Sequence, residues 1–360
     1  MNNRKFWRGF GLAFFYLCSP ALSADTGWFA GVSTDAYSEP EPVSATVKDW
    51  GDNFQYGEHQ WLTSEFTLGY RFASGLELSW QRRAQANTRI NPEAADFYGR
   101  IQRNEPLPKG EPVPLTLTAS SFAAHSLRVG YRHHWSDGWI SAGISYLDTS
   151  HLVDGTLEGT ISARTDTEYQ IQANIDYVYY RDPVFNRPDI NRASGRGAAL
   201  DVQLHWLPSN QWQLEATAKD LLATVRWKDA PHTLGQADTG RKHIGEDGYA
   251  RFNPLFTGRE GYKDQYTQRI APNIRTQVSR HWAPWQLHAV WQRRFDVNHW
   301  GLGTGYRLRG GAQLELTVWP NREGLELTWN QASWQLGLMA DQSRWRDAHS
   351  LSVNLSYNLP

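Results

Sequence analysis

The 360-residue chain has one cysteine, seven lysines against 29 arginines and, beyond residue 24, no run near the roughly 20 apolar residues that a membrane-crossing helix needs. Each scarcity excludes something. Cys18 has no partner for an intrachain disulfide and no companions for a thiolate metal site. Without a long apolar run, any crossing of a membrane must be made by strands. Basic and acidic residues nearly balance, 36 against 37, so no basic field points to nucleic acid. The preference for arginine favours bidentate pairing with carboxylate or phosphate. There is also no 34-residue helical period and no separate globular segment of the kind that carries a scaffold. What the chain does have is aromatics, 18 Trp, 16 Tyr and 14 Phe, in a sequence of mean hydropathy −0.61. A polar average with abundant rings suits a barrel with a wet lumen and interfacial girdles.

The first 24 residues have a basic start (Arg4, Lys5, Arg8), an apolar middle from Phe10 to Leu17 and a small-residue exit through Ser19, Ala21, Ser23 and Ala24. That pattern predicts a secretory signal peptide, 1–24, cleaved after Ser23 or Ala24. A lipoprotein signal would place small residues before Cys18, where this chain has Phe15, Tyr16 and Leu17. Cleavage removes the only thiol and leaves 33 basic against 37 acidic residues, a formal charge of −4.

Residues 25–360 read as strands throughout. At the end, Leu351, Val353, Leu355, Tyr357 and Leu359 alternate with Ser350, Ser352, Asn354, Ser356 and Asn358, one apolar face and one polar. Leu62 to Phe72 turn through Ala73-Ser74-Gly75 into Leu76, Leu78 and Trp80, and Leu127 to Tyr131 turn through 135–138 into Ile140 to Tyr146. Tyr169 to Tyr179 alternates with Gln170, Gln172, Asn174 and Asp176. At Lys219-Asp220 the alternation changes phase before Leu221, Ala223, Val225 and Trp227, which requires a bulge or bend and assigns those four to the outward apolar face. Less regular strands fit 28–36, 157–162 and 264–281, and 150–156 reads as a loop.

Connectors fall into two alternating classes. Tight ones lie at 73–75, 135–138, 163–167, 208–210, 282–284, 309–311 and 330–332. The others lie at 37–59, 87–120, 150–156, 181–196, 229–262, 296–298, 320–323 and 342–348, most of them long. A soluble sandwich or propeller would not require that alternation. The fold class is therefore all-β, a single transmembrane antiparallel β-barrel of 14–16 strands, 16 favoured, with short periplasmic turns and long extracellular loops.

On the terminal strand and this architecture, the mature chain resembles the outer-membrane β-barrel proteins of Gram-negative bacteria, porin-like and without the signature of one subfamily. The resemblance implies an exported protein in which the last strand closes the barrel and is read by the barrel-assembly machinery. Outer-membrane lipids and lipopolysaccharide are the surrounding partners, and self-association into a homo-oligomer stays open. Pro360 follows the ladder, where its missing N–H costs little.

Two segments echo each other, Trp80-Gln81-Arg82-Arg83 and Trp291-Gln292-Arg293-Arg294. Trp80 and Trp291 are expected in the outer girdle, Arg82 and Arg293 at lipid headgroups, and Arg83 and Arg294 in the lumen. Gln172, Asn174 and Asp176 complete the expected lumen set. Loop candidates are Arg181, Arg187 and Arg192 in 181–196, and Arg241, Lys242 and His243 in 229–262, whose charges would set a transverse field if the loops fold inward. Asn91-Pro92-Glu93 reads as the capped start of a short helix. No catalytic residue is assigned, since His125-Ser126 and His349-Ser350 are adjacent on strands and point to opposite faces. His133-His134 lacks a third ligand, so no metal and no cofactor is expected. The function expected is a channel for small solutes. The alternatives are a non-conducting structural or surface-binding barrel and, third, a lipid-active enzyme.

Overall fold

The structure, a computed structural model, describes residues 26–46, 54–181, 192–239, 242–244, 250–252 and 256–359. The expected signal peptide with Cys18, and Arg187, Arg241 and Pro360, lie outside the described residues. Lys242 and His243 are described only as backbone.

The strands are β1 (Gly27–Ser38), β2 (His59–Arg71), β3 (Leu76–Ile90), β4 (Val113–Trp135), β5 (Gly138–Ala163), β6 (Tyr169–Tyr179), β7 (Ser194–Ser209), β8 (Trp212–Asp238) and β9 (Lys242–Ile244). They continue as β10 (Ala250–Phe252), β11 (Phe256–Arg269), β12 (Asn273–Trp282), β13 (Trp285–Arg294), β14 (Val297–Arg307), β15 (Gln313–Trp319), β16 (Gly324–Gln331), β17 (Trp334–Ala340) and β18 (Ser350–Leu359). Two helices, α1 (Val43–Thr46) and α2 (Pro92–Gln102), and a 3-10 turn at Pro320–Arg322 lie in connections.

Fourteen strands close an antiparallel wall in the order β1, β2, β3, β4, β5, β7, β8, then β12 through β18 and back to β1. The seam pairs Leu359 with Trp28 and Ser350 with Tyr37, so the alternating terminal strand is the closing strand. Closure leaves no free edge, which is what a β-structure needs where water cannot satisfy its backbone.

Two further strands stand on one rim. β6 fills the space beyond the end of β7, pairing Val153–Ala163 of β5 on one side and His232–Asp238 of β8 on the other. β11 continues the line of β12 and pairs Thr224–Ala237 of β8. This corrects the expected course at 150–156: no loop interrupts the chain there. Ser150 is an extra residue between the pairs Ala123–His151 and Ala124–Thr149, a bulge that lets β5 run on. The turn at 163–167 consequently lies at the long-loop end, joining β5 to β6, rather than at the short-turn end.

Side chains sort by parity. Along β14 and the residue after it, Trp300, Leu302, Tyr306 and Leu308 are exposed on the outer surface, and eight rises of ~3.3 Å tilted by ~40° give a belt about 20 Å tall, near the ~25 Å of a transmembrane barrel. Trp28, Trp135, Trp206, Trp212, Trp282 and Trp285 ring its short-turn edge, and Trp80, Tyr146, Trp291 and Trp300 its long-loop edge. Inward positions carry Glu77, Ser79, Gln81 and Arg83 on β3, and Ser126, Arg128 and Arg132 on β4, all buried.

The phase change in β8 is a bulge at Asp220, whose φ is 56°, with a register shift against Leu200 and Val202 of β7. Its consequence differs from expectation in one respect. Beyond the bulge Ala223, Val225 and Trp227 face inward, and they pack with Phe122, Leu147, Leu152, Val178 and Ile270 in an apolar cluster inside the wall. The outward positions there are Leu222, Thr224, Arg226 and Lys228.

Helix α2 forms as Pro92 and Glu93 predict, but Asn91 does not cap it through its side chain. Instead Asn91 Oδ1 accepts from Thr116 N at 2.7 Å and Nδ2 donates to Pro114 O at 2.6 Å, tying the helix start to β4. Its buried face, Ala94, Ala95 and Phe97, packs with Phe54, Leu115, Leu117 and Ile161. Leu115 and Leu117 share the parity of Leu127 and Val129, so α2 covers apolar strand surface that projects beyond the belt.

Candidate functional site

Where the wall would be widest, side chains of opposite strands meet. A circle of fourteen strands ~4.8 Å apart and tilted by about 40° is about 28 Å across, far beyond the reach of one arginine and one aspartate. Yet Arg294 of β13 lies 3.2 Å from Asp35 of β1, with β14 through β18 between them along the wall. Arg294 also donates to Thr63 of β2. Arg83 of β3 grips Asp220 of β8 with both terminal guanidinium nitrogens, and Lys219 of β8 donates to Glu65 of β2 at 2.6 Å. The lumen is thus pinched into a waist by charged pairs that cross it.

The Asp220 bulge builds half of this arrangement. Its turned backbone keeps Lys219 inward and adds the Asp220 carboxylate beside it, while Asp220 N–H donates to Asp201 of β7 at 3.0 Å. Asp201 continues to Arg128 of β4 at 3.5 Å, and Arg128 to Glu77 of β3 at 3.2 Å. Glu77 also takes Arg71 at 2.7 Å, Arg132 at 3.0 Å and the Ser141 hydroxyl at 3.0 Å. On the other flank Asp35 accepts from Arg322 in the 3-10 turn and from Trp61 Nε1, at 2.9 and 2.8 Å. Buried charges persist only when paired and hydrogen-bonded, and here Asp35, Glu65, Glu77 and Asp201 each have two or more partners while Asp220 takes both its bonds from Arg83.

On the long-loop side an aromatic roof covers the waist: Tyr37 stacks on Trp61 with ring centres 4.3 Å apart, and Trp61 meets Phe295 at 5.8 Å. Between roof and ion pairs is a cavity of about 60 Å³ lined by Glu65, Arg83, Lys219, Asn273, Arg294 and Phe295, room for a few waters. Arg294 Nε and Asn273 Oδ1 are buried without a hydrogen-bond partner. Toward the short turns the lining is Glu215, Arg275, Gln286, Gln313, Glu315, Glu326 and Asn330, a hydrogen-bonding surface that can solvate a polar solute.

Of the residues singled out in the sequence, Arg83 and Arg294 sit at the waist, one in each half. Trp80 and Trp291 face outward at the long-loop edge of the belt, and Arg82 and Arg293 lie beyond them, Arg293 paired to Asp296 at 2.7 Å. Gln172, Asn174 and Asp176 are not in the barrel: β6 stands beyond the rim, where Asp176 meets His232 at 2.7 Å. Arg181 and Arg192 are exposed at the start and end of the connection to β7, Arg192 over the Tyr180 ring. The carboxylates that complete the waist, Asp35, Glu65 and Asp220, were not among the expected residues. Only the phase change at Lys219-Asp220 marked any of them.

Among the described residues neither adjacent His-Ser pair nor any histidine forms an accessible catalytic arrangement. His125 is exposed and stacks on Trp80 while Ser126 is buried on the other face. The nearest approach to a triad is His288, 2.8 Å from Thr317 Oγ1 and 3.9 Å from Glu315, but His288 and Thr317 are each only 4 % exposed and no substrate reaches the hydroxyl. Among the described residues no group of His, Cys, Asp and Glu is arranged to hold a metal.

Searches against protein-family models and curated proteins found no match. Among solved structures, a TodX mutant described as a monoaromatic hydrocarbon channel aligns over 93 % of this chain and 90 % of its own, with TM-score 0.46 and 8 % identity. The CymD monoaromatic hydrocarbon channel aligns over 92 % and 88 %, with TM-score 0.44 and 9 % identity. The Ralstonia pickettii toluene transporter TbuX aligns over 93 % and 90 %, with TM-score 0.35 and 8 % identity. Likeness at this level assigns the chain to no family and names no solute.

Proposed function

We propose that the chain is an outer-membrane channel for small polar solutes, entered from the long-loop side and controlled at the charged waist. The observation that carries this reading is a closed barrel with an apolar belt outside, a hydrogen-bonding lumen inside, and one constriction built from charged pairs across that lumen. A structural stave would more economically be filled with apolar side chains, because buried ion pairs contribute little net stability. Contacting pairs of arginine or lysine with carboxylate instead set charged groups across the lumen that a polar solute must pass between.

The test is single-channel recording in planar bilayers. Wild-type protein is expected to show small or infrequent openings, and Arg83→Gln with Arg294→Gln to raise conductance and shift the reversal potential toward cations. Absence of current from both, in high salt, sinks the channel reading. It would support instead a non-conducting barrel, which the contact between opposite walls at the waist favours. A lipid-active enzyme ranks third, and release of labelled fatty acid from phospholipid or lipid A would promote it.

A further inference from the structure

The outer wall bears a charged surface that passage through the lumen does not use. Just beyond Tyr146 and Leu222, on the long-loop side of the belt, Arg196 of β7, Arg226 and Lys228 of β8, and Arg269 of β11 all face outward and are exposed. Arg196 and Arg226 are direct cross-strand partners. Arg269 pairs with Thr224, which puts it diagonal to Arg226, and Lys228 is the next outward position on β8. Like charges directly opposed on a sheet are destabilising, so four cations together call for an anion.

Among the described residues none of the four has an ion pair, although Asp148 is the other cross-strand neighbour of Arg196. Arg293, at the corresponding height on β13, is by contrast neutralised by Asp296. Below the patch Leu222 is 71 % exposed and Tyr146 48 % exposed, an apolar surface continuous with the belt. Cations directly above lipid-facing apolar side chains match a ligand with phosphate at its head and acyl chains beneath.

We propose that Arg196, Arg226, Lys228 and Arg269 form a docking site for the phosphorylated headgroup of an outer-leaflet lipid of the lipid A type, whose acyl chains lie over Leu222 and Tyr146. The guanidinium groups grip the phosphate oxygens in bidentate fashion and Lys228 adds a point charge. The site rests on the outer-membrane reading, and its test is separable from that reading.

Purified barrel in detergent is titrated with bisphosphorylated lipid A, its fully dephosphorylated form and inorganic phosphate, and bound lipid is read by native mass spectrometry. Wild type is expected to prefer the bisphosphorylated lipid. Arg196→Gln with Arg226→Gln is expected to weaken it about 25-fold, roughly fivefold per cation, while Arg196→Lys with Arg226→Lys falls between. Heat-modifiable migration in gels establishes that each variant is folded. Equal binding by the Gln variant and wild type overturns the site, as does equal binding of the dephosphorylated lipid. Displacement of the lipid by millimolar inorganic phosphate overturns the lipid as the occupant. A wild-type barrel that inserts into no bilayer of any composition would fail the outer-membrane reading instead.

Discussion

At the scale of single residues, the waist depends on charges that cannot be removed singly without leaving a buried partner unpaired. Asp220→Ala strands Arg83 with only the 3.7 Å contact to Glu65, and is expected to cost about 3 kcal/mol. Arg83→Met combined with Asp220→Leu is expected to recover most of that loss, because the desolvated pair goes as a unit. Urea unfolding in lipid vesicles measures both, and equal destabilisation by the single and double variants would contradict the pairing. Space matters as much as charge. A Cβ at Gly130 or Gly143 would strike the Arg128 guanidinium, so the two glycines make the slot in which Arg128 joins Glu77 and Asp201. Gly143→Ala is expected to push Arg128 out and destabilise by about 1–3 kcal/mol, read in the same unfolding experiment.

At the scale of elements, the rim extension of β5 and β6 has its own pH response. Burial, and then Arg181, hold the His151 imidazole down at about 4. An opened strand takes up that proton near its ordinary 6.5, so the extension is at full strength above that pH and weakens as pH falls from 6.5 toward 4. Asp154 on the same strand is raised by burial and acts in the opposite sense upward from its ordinary 3.8. Comparison with His151→Gln isolates the imidazole. Hydrogen exchange of residues 153–163, corrected for intrinsic rate, should be faster at pH 5 than at pH 7 in wild type and less pH-dependent in the variant. The extension also marks the limit of what local pattern reveals. The terminal strand, the hairpin at 135–138 and the bulge at Asp220 are legible because alternation and turn chemistry record them directly. Asp154-Gly155 carries the same turn chemistry, yet the bulge at Ser150 and pairing with β6 keep it extended. The inward Ala223, Val225 and Trp227 were equally hidden, since an apolar strand face reads alike whether it meets lipid or another wall.

At the scale of the molecule, closure brings together what sequence separates. Asp35 and Arg294 lie far apart in the chain, and no local feature ties them; the contact exists because β18 pairs with β1 and the wall is flattened. The echoed Trp-Gln-Arg-Arg segments each carry one waist arginine, Arg83 and Arg294, but their carboxylate partners follow only from the three-dimensional fold. Two electrostatic settings result. The waist pairs are buried and hydrogen-bonded and so are little screened by salt, whereas the cations on the outer wall are exposed and screened over a length of about 8 Å at physiological ionic strength. A cell moving from fresh to saline water would therefore alter how this barrel is held among its lipids while leaving the bolt across its lumen as tight as before.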